Sequence, residues 1–431
     1  MSSAPPVPTP GAPGGSDRIL TRNFVYACGA GFLFTISFVM FFPTLPLFIK
    51  EFGGSASFIG VLIGGASLVS LVIRPFTGSF VESMGRTRFL MFGALLMAMS
   101  SLSYELAGTL AALWPARIMA GVAMGFYFTA AMAYIGDIAP PGKRGRTMSF
   151  YGMFTTLGIA TGPAIGSWIL TSGSFRGLNE HLRRWMPGTG SDVSDRYNFA
   201  VVFALGCLFA LGSAAFTRRL WEAHKPVKRQ SEGLRAMVRH SVSRPAIFPS
   251  ILHAGTVINV ATLNVFLPVF NEQERLWSNI GLYYTVFAIA IFASRLWGGP
   301  LLDRYPRAYT IMPGLGMMAM GTVLLALVHE PWVIFFTGVM MGAGSGMAQP
   351  GLQAVTIDRA KGKNLGGASA TFAIGMDLGL IVGITALGAV LDATNFEVFF
   401  LSAGIVTLAA LAALATGTVR DPEARSRRAQ T

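Results

Sequence analysis

The chain contains two copies of one pattern, separated by a constant offset of 221 residues. Along this offset, charged and small residues of the first copy coincide with like residues of the second. The matched pairs are Arg74/Arg295, Glu82/Asp303, Arg86/Arg307, Gly121/Gly342, Gly125/Gly346, Asp137/Asp358, Gly158/Gly379 and Gly162/Gly383. One offset without gaps covers five separate segments, which makes chance a poor explanation. The duplication predicts two equivalent halves with a functional site between them.

Long apolar runs dominate the composition. Hydrophobic side chains make up 52% of the 431 residues and charged side chains only 12%, against about 25% charged in soluble proteins. A helix needs about 20 apolar residues to cross the hydrocarbon core. The chain has twelve such stretches, at 22–50, 56–81, 88–108, 111–136, 146–171, 198–217, 247–270, 277–301, 309–329, 331–354, 365–389 and 396–418. We predict an all-α integral membrane protein with twelve transmembrane helices in two pseudo-symmetric six-helix bundles.

The placement of the basic residues predicts which face is cytoplasmic. With twelve spans, both termini and every second loop lie on one side of the membrane. Of the 33 Lys and Arg residues, 24 fall on that side, six on the other side and three within helices (Arg74, Arg117 and Arg295). Because positive charge marks the cytoplasmic face, both termini are predicted to be cytoplasmic. The net charge of +13 is thereby explained by topology, and no nucleic-acid partner is expected.

Composition also divides the chain into five parts. These are a disordered N-terminal tail (1–20), an N-terminal bundle (21–217), a cytoplasmic linker (218–246), a C-terminal bundle (247–418) and a cytoplasmic tail (419–431). The linker is strongly basic, which is typical of a solvated tether or of a short amphipathic helix on anionic headgroups. On the opposite face, the long loop 172–197 is either a lid, a docking site or a simple insertion.

Signatures of catalysis are lacking in the sequence. It contains no Gly-x-x-x-x-Gly-Lys-Ser/Thr phosphate loop, no metal-ligand cluster and no nucleophile constellation. Cys28 and Cys207 both lie in apolar spans and indicate neither a disulfide nor a metal site. We therefore expect no enzyme activity, no cofactor, no metal and no direct use of ATP.

A short motif between the second and third spans occurs in both halves. The first copy contains Gly78, Glu82, Gly85 and Arg86, and the second contains Gly299, Asp303, Arg304 and Arg307. The motif resembles the signature Gly-x-Leu-x-Asp-Arg-x-Gly-Arg-Arg of the major facilitator superfamily of secondary transporters. The resemblance implies a charge lock at the cytoplasmic side that closes in one state and breaks in the other. Asp137 and Asp358, at the ends of the fourth and tenth spans, are further candidates for this lock.

The fourth and fifth spans carry two more motifs of that family. Arg117-x-x-x-Gly121-x-x-x-Gly125 resembles the motif linked to proton coupling, although a structural Arg117 bonded to backbone carbonyls is the alternative. The fifth span contains Gly158, Gly162, Pro163 and Gly166, and resembles the Gly-x-x-x-Gly-Pro-x-x-Gly motif that accompanies proton-driven export. These motifs resemble the bacterial drug and metabolite efflux branch.

Asp377 is the leading candidate for energy coupling. It lies within a turn of the middle of the eleventh span, and its equivalent in the first half is Thr156, so packing symmetry does not require an acid there. A carboxyl group at that depth can bind a proton, a cationic substrate group, or both in alternation. The alternative is a structural Asp that positions an Arg or Asn.

Other polar residues in apolar spans could line a central cavity. These candidates are His253, Asn259 and Asn264 on the seventh span, Gln349 and Gln353 on the tenth, and Tyr127 on the fourth. Gln349 and Gln353 share one helix face because they are four residues apart. Each of these side chains could equally bridge two helices.

Together these observations predict a monomeric secondary transporter that exports a small organic compound in exchange for protons. The first alternative is a proton symporter or facilitator for a small organic anion or sugar, favoured by Arg117. The second, from another class, is a non-transporting membrane sensor or platform that uses the loop 172–197. Many multidrug members of the family carry an acid in the first helix, and this chain has none between Arg22 and Lys50.

Overall fold

The computed structural model describes residues 19–140, 143–185, 197–222, 243–276, 280–360 and 365–420. Within these ranges the regular structure is helical. Most of the predicted N-terminal tail, the linker residues 223–242 and the final tail 421–431 lie outside the described residues.

The helices follow the apolar stretches, with boundaries displaced by a few residues. In the first half they are α1 Arg22–Val39, α2 Phe41–Glu51, α3 Ala56–Met84, α4 Arg86–Glu105, α5 Leu113–Ile138, α6 Arg144–Thr171, α7 Arg176–Trp185 and α8 Phe199–Arg218. In the second half they are α9 Arg244–Glu274, α10 Gly281–Arg304, α11 Ala308–Leu327, α12 Pro331–Arg359, α13 Leu365–Ala393 and α14 Phe396–Arg420.

Two local features differ from the sequence-based expectations. The first predicted span is divided at Met40 into α1 and α2, although the two together form one membrane-length segment. The segment 172–197 contains a 3₁₀ turn at Gly173–Phe175 followed by α7. Asn198 fixes the end of this segment by donating hydrogen bonds from Nδ2 to the carbonyls of Ile169 (2.8 Å) and Ser172 (2.6 Å).

Ten segments in the described part of the chain are long and apolar enough to cross a membrane. The two long helices outside this set, α4 and α10, pack against α5 and α12, respectively. The structure is thus an all-helical, multi-pass membrane fold.

The two halves repeat the same helix packing in the same register. Gly121 and Gly125 of α5 lie against α3, where an added Cβ at Gly125 would come within 2.7 Å of the Ile73 side chain. Gly342 and Gly346 of α12 lie against α10 in the same way, with Ala290 2.7 Å from an added Cβ at Gly342. Small residues permit such close backbone approach between helices in lipid. The duplication read in the sequence is therefore also a duplication of contacts.

An ion pair repeats with the same offset. The Arg86 Nε donates to Oδ2 of Asp137 at 2.9 Å, and the Arg307 Nε donates to Oδ2 of Asp358 at 3.2 Å. Each pair lies within one half, joining the start of α4 to the end of α5 or the start of α11 to the end of α12. Arg86 is buried and also donates to the carbonyl of Val81 on α3.

The apolar clusters define where the two halves meet. One large cluster contains residues of both halves, including Phe48, Ile59, Phe266, Ile384 and Phe400. A second cluster contains only residues of the first half, and a third contains only residues of the second half. The halves are thus joined at one end, which we call the joined end, and have separate cores at the other.

The opposite end, which we call the separated end, contains the first residues of α1 and the last residues of α14. Phe24, near the start of α1, belongs to the cluster of the first half, and Leu414, near the end of α14, belongs to that of the second half. Phe48 and Phe400, at the opposite ends of these segments, belong to the shared cluster. Both described chain ends therefore lie on the face where the halves diverge.

The glycine packing predicts that an added methyl group destabilises the protein where the glycine contacts a neighbouring helix and not where it faces open space. Gly342→Ala should destabilise the protein by about 1–3 kcal/mol, because the methyl group has no room between α10 and α12. The matched control is Gly316→Ala in α11, where an added Cβ meets nothing within 4 Å. That substitution should be neutral or stabilising by up to about 1 kcal/mol through helix propensity. Thermal unfolding of the purified protein in detergent distinguishes them; equal effects would contradict the packing described.

Candidate functional site

Two helix pairs form seams between the halves. In the first seam α3 packs against α13, and in the second, equivalent by the repeat, α10 packs against α6. The first seam is close at the joined end, where Gly60 faces the backbone of Ile384 and Gly64 lies beside the Thr385 hydroxyl. The Thr385 Oγ1 donates to the Gly60 carbonyl at 3.3 Å.

A carboxylate of one half caps a helix of the other at this end. Asp392, near the end of α13, accepts hydrogen bonds from the backbone N–H groups of Ala56 (2.9 Å) and Ser57 (2.7 Å) at the start of α3. The first N–H groups of a helix lack partners within the helix, and the helix dipole favours negative charge there. Asp392 is therefore a polar latch between the two halves.

The buried charges of the first seam lie farther along the same two helices. An Nη2 of Arg74 on α3 lies 2.8 Å from Oδ2 of Asp377 on α13. The Asp377 side chain is completely buried, whereas that of Arg74 is 19% exposed. Asp377 lies 15 residues from Asp392, which corresponds to about 22 Å along the helix. The ion pair thus bridges the two halves well inside the seam.

This ion pair is incompletely satisfied. Apart from the ionic contact, neither carboxylate oxygen of Asp377 has a hydrogen-bond partner in the described part of the chain, and the same holds for the Arg74 Nε. A buried group left in this state costs roughly 1–3 kcal/mol. A proton or a polar group of a ligand would remove this cost, which is why we take the pair as the centre of the candidate site.

Arg117 lies inside the first half, and its guanidinium donates hydrogen bonds to groups of that half. Its guanidinium donates to the carbonyls of Leu62 (3.2 Å) and Ile63 (2.7 Å) on α3, and to the Tyr104 hydroxyl (3.3 Å). The side chain is 1% exposed. This arrangement corresponds to the structural alternative given above, in which Arg117 is bonded to backbone carbonyls.

Asn259 joins three helices of the second half. Its Nδ2 donates to Thr407 Oγ1 on α14 at 2.7 Å, and its Oδ1 accepts from Thr322 Oγ1 on α11 at 2.8 Å. Both partners and Asn259 itself are fully buried. Asn259 therefore serves as a helix bridge in this state.

His253 and Asn264 are also buried in the second half. The His253 ring stacks on Phe372 of α13 at 4.1 Å, and its Nδ1 lies 3.2 Å from the Thr256 hydroxyl. The backbone carbonyl of Asn264 accepts a hydrogen bond from the Tyr284 hydroxyl at 2.8 Å.

The remaining cavity candidates divide between the halves. Gln349 is half-buried and accepts a long hydrogen bond (3.5 Å) from Arg295, whereas Gln353 is exposed. Tyr127 is buried in the first half, where it stacks on Phe34 and lies 3.1 Å from the Ser213 hydroxyl. These candidates are therefore spread through two cores and do not form one cluster around Asp377.

The motif between α3 and α4 is fixed at Gly85. This residue has a φ of 103°, in the region that favours glycine, and Glu222 after α8 lies beside it. Glu222 accepts from the N–H and the hydroxyl of Thr87 at 2.8 and 2.7 Å. The side chains of Glu82, Asp303 and Arg304, and the surroundings of Gly78 and Gly299, lie outside what the structure describes.

The glycines of the fifth predicted span pack α6 against α1. An added Cβ at Gly158 would lie 3.0 Å from the Thr35 side chain, and Gly166 faces the backbone of Met40. Pro163 lies inside α6, between Gly162 and Gly166. The motif therefore shapes the contact between α6 and the bent first segment.

Sequence reasoning did not identify two participants of the seam. From the sequence, Arg74 was a repeated position and a charge within a span but no site residue, and Asp392 was not singled out. An arginine in an apolar span requires a partner, so Arg74 carried a usable signal, but nothing local indicates that the partner lies 303 residues away in the other half.

Two repeated membrane-spanning halves with buried charge between them form the arrangement of a secondary transporter. The profile of the Major Facilitator Superfamily matches residues 27–282 and 278–431. The chain belongs to this superfamily.

Relatives place it near the efflux members. The quinolone resistance protein NorA of Staphylococcus aureus (strain COL) is 20% identical over 389 residues, covering 87% of this chain and 91% of NorA. Among solved structures, a bacterial homologue of the human lysosomal transporter Spinster, inward-facing and unoccupied, aligns over 93% of this chain and 96% of its own with a TM-score of 0.68 and 16% identity. A D-xylose-proton symporter aligns over 91% and 96% with a TM-score of 0.69 and 17% identity.

The Asp392 latch predicts how the joined end responds to mutation. Asp392→Ala should increase opening of the first seam about tenfold, because two charge-assisted hydrogen bonds are lost. The measurement is the rate at which a hydrophilic maleimide labels Ile384→Cys, a position 1% exposed, in protein lacking Cys28 and Cys207. Thr394→Ala is the control: the exposed Thr394 hydroxyl donates to the Val390 carbonyl of its own segment, and its loss should leave the rate unchanged. Unchanged labelling in Asp392→Ala would exclude the latch.

Proposed function

We propose that this protein exports a small organic compound across the cell membrane by alternating access, driven by proton antiport. In this mechanism the two halves rock about a central site, so that the seams open alternately at either face. The central observation in its support is the Arg74–Asp377 ion pair, which bridges the halves and leaves buried polar atoms without hydrogen bonds.

Sidedness follows from the positive-inside rule. Both termini and most of the basic residues are assigned to the cytoplasm, so the separated end faces the cytoplasm and the joined end faces outward. The structure then corresponds to an inward-facing state, in which substrate enters from the cytoplasm. The twelve-span count and the monomeric state belong to the same proposal.

In this mechanism, coupling depends on the protonation state of Asp377. While Asp377 is charged, Arg74 holds α3 to α13; protonation removes half of the ion pair and weakens the seam. A substrate that favours the arrangement with charged Asp377 would then exchange for a proton, which favours the other arrangement. The Gly158 to Gly166 motif in α6 and the resemblance to NorA favour export.

A second candidate is proton symport of a small organic anion or sugar. The structural likeness to a D-xylose-proton symporter favours it, but a likeness at 17% identity indicates fold alone. Arg117, the residue that suggested an anion, is fully bonded inside the first half. Comparing substrate counterflow in inverted vesicles with and without a pH gradient separates the exchanger from the symporter.

A non-transporting sensor or platform would use the segment 172–197. This segment reaches the second half, since the Tyr197 hydroxyl donates to Glu272 Oε1 at 3.0 Å. The contact favours a role in closing the joined end. Loss of efflux on its deletion would agree with that role, whereas retained efflux would eliminate the platform.

The ion pair predicts which step Asp377 controls. Asp377→Asn should reduce proton-driven efflux at least about 100-fold, since an unpaired Arg74 left in the seam costs roughly 3–5 kcal/mol. Counterflow without a pH gradient should be reduced less. Glu397→Gln, which neutralises an exposed acid in the first turn of α14, is the control. Undiminished proton-driven transport by a normally inserted Asp377→Asn protein would refute the coupling role.

Alternating access predicts that locking the joined end stops transport. Ser57 and Asp392 are suitable positions because the Ser57 N–H donates to Oδ2 of Asp392 at 2.7 Å across the joined end. In protein lacking Cys28 and Cys207, Ser57→Cys with Asp392→Cys should lose transport on oxidation and regain it on reduction. Each single cysteine variant should be insensitive. Full transport by the oxidised double variant would contradict the mechanism.

A further inference from the structure

The second seam carries an arginine whose acidic partner is missing. Arg295 on α10 is related to Arg74 by the 221-residue repeat, and the position related to Asp377 is Thr156 on α6. The helices α10 and α6 pack together as α3 and α13 do. The sequence of α6 contains no Asp or Glu. The two seams thus share an architecture, but only the first has an acid at the depth of its arginine.

The contacts of Arg295 are weaker than those of Arg74. Among the described residues, Arg295 donates a hydrogen bond from Nη2 to Gln349 Oε1 at 3.5 Å, compared with 2.8 Å for the ion pair in the first seam. The Nε atom is buried and has no hydrogen-bond partner among the described residues. A neutral amide at the limit of hydrogen-bond distance does not compensate a guanidinium in an apolar span.

We infer that Arg295 binds an anionic oxygen group of the transported compound, and that a substrate carboxylate occupies in the second seam the place that Asp377 occupies in the first. A guanidinium presents parallel N–H donors that match the two oxygens of a carboxylate. Gln349 lies beside Arg295 and can orient it or supply an amide donor. The inference rests on the proposed function, since it names the substrate class of that same transporter.

Charge balance supports this assignment. At the depth of the arginines the first seam is neutral because Arg74 and Asp377 compensate each other, whereas Arg295 leaves the second seam one positive charge in excess. A bound carboxylate would neutralise the second seam at this depth and bring α10 and α6 together as the ion pair brings α3 and α13. The substrate would thereby help to form the closed arrangement, and a compound without the anionic group would not.

A binding measurement on full-length protein in lipid nanodiscs tests the inference. The probes are norfloxacin, a quinolone with a carboxylate and an amine, and its methyl ester, which lacks the carboxylate charge; ligand-dependent shifts in melting temperature report apparent affinity. Wild-type protein should prefer the acid about tenfold, as expected for one charged contact. Arg295→Gln should abolish the preference and leave the affinity for the ester unchanged.

Two further variants keep the test independent of folding defects. Arg295→Lys retains the charge and should keep part of the preference. Thr156→Asp supplies the missing acid opposite an intact Arg295 and should abolish the preference. The inference is overturned if the wild type does not discriminate, if Arg295→Gln still prefers the acid, or if the variants lower both affinities equally.

Proton-driven transport in proteoliposomes is measured separately. If the acid preference depends on Arg295 but no compound moves in response to a pH gradient, the proposed function fails and the binding site stands. If a pH gradient drives transport but binding shows no preference for the acid, the proposed function stands and the carboxylate site at Arg295 is refuted.

Discussion

Close backbone packing at small residues is the constraint on which the rest of the structure depends. Lipid offers no hydrophobic drive for helices to associate, so they need intimate contact or hydrogen bonds. Both halves meet this need with glycines in the same register, at Gly121 of α5 against α3 and at Gly342 of α12 against α10. A hydrogen bond between two helices repeats as well: Ser100 of α4 donates to the Ala116 carbonyl of α5 at 2.7 Å, and at the equivalent positions Thr337 of α12 donates to the Gly321 carbonyl of α11 at 2.9 Å. The bond is kept in both halves, but its hydroxyl donor lies on opposite members of the helix pair.

Features set by local pattern could be predicted from the sequence. Apolar length predicted the helices, and the 221-residue offset predicted that Arg86 and Arg307 lie at equivalent helix ends, because such residues are placed by the helix boundaries alone. Asp377 was identified because an acid in an apolar span is costly wherever it lies.

Contacts between the halves could not be predicted in the same way. The cap that Asp392 provides for α3, and the choice of Arg74 as partner for Asp377, depend on how the two bundles dock. Asn259 illustrates the same limit: its depth suggested a cavity, whereas its hydrogen bonds to Thr322 and Thr407 use it to join helices. Polarity in a span indicates that a partner exists but does not identify it.

The departures from symmetry are as informative as the repeats. Arg117 fills a site in the first half by bonding the carbonyl of Leu62, while its counterpart Gly338 lies 3.2 Å, measured from an added Cβ, from the ring of Tyr283, the residue equivalent to Leu62. An aromatic ring thus takes the volume that a guanidinium takes in the other half. Gene duplication supplied one frame, and divergence placed charge in only some of its equivalent positions.

Helix α13 joins two of the features described above into one mechanical element. It carries Asp377 and, about 22 Å further along, Asp392, and its sequence from Leu365 to Ala393 contains no proline. A rod without a proline hinge transmits a tilt at one end to the other. A change in the charge of Asp377 therefore acts on the Asp392 latch through the helix itself, without any relay of side chains. The helix couples the two carboxylates mechanically.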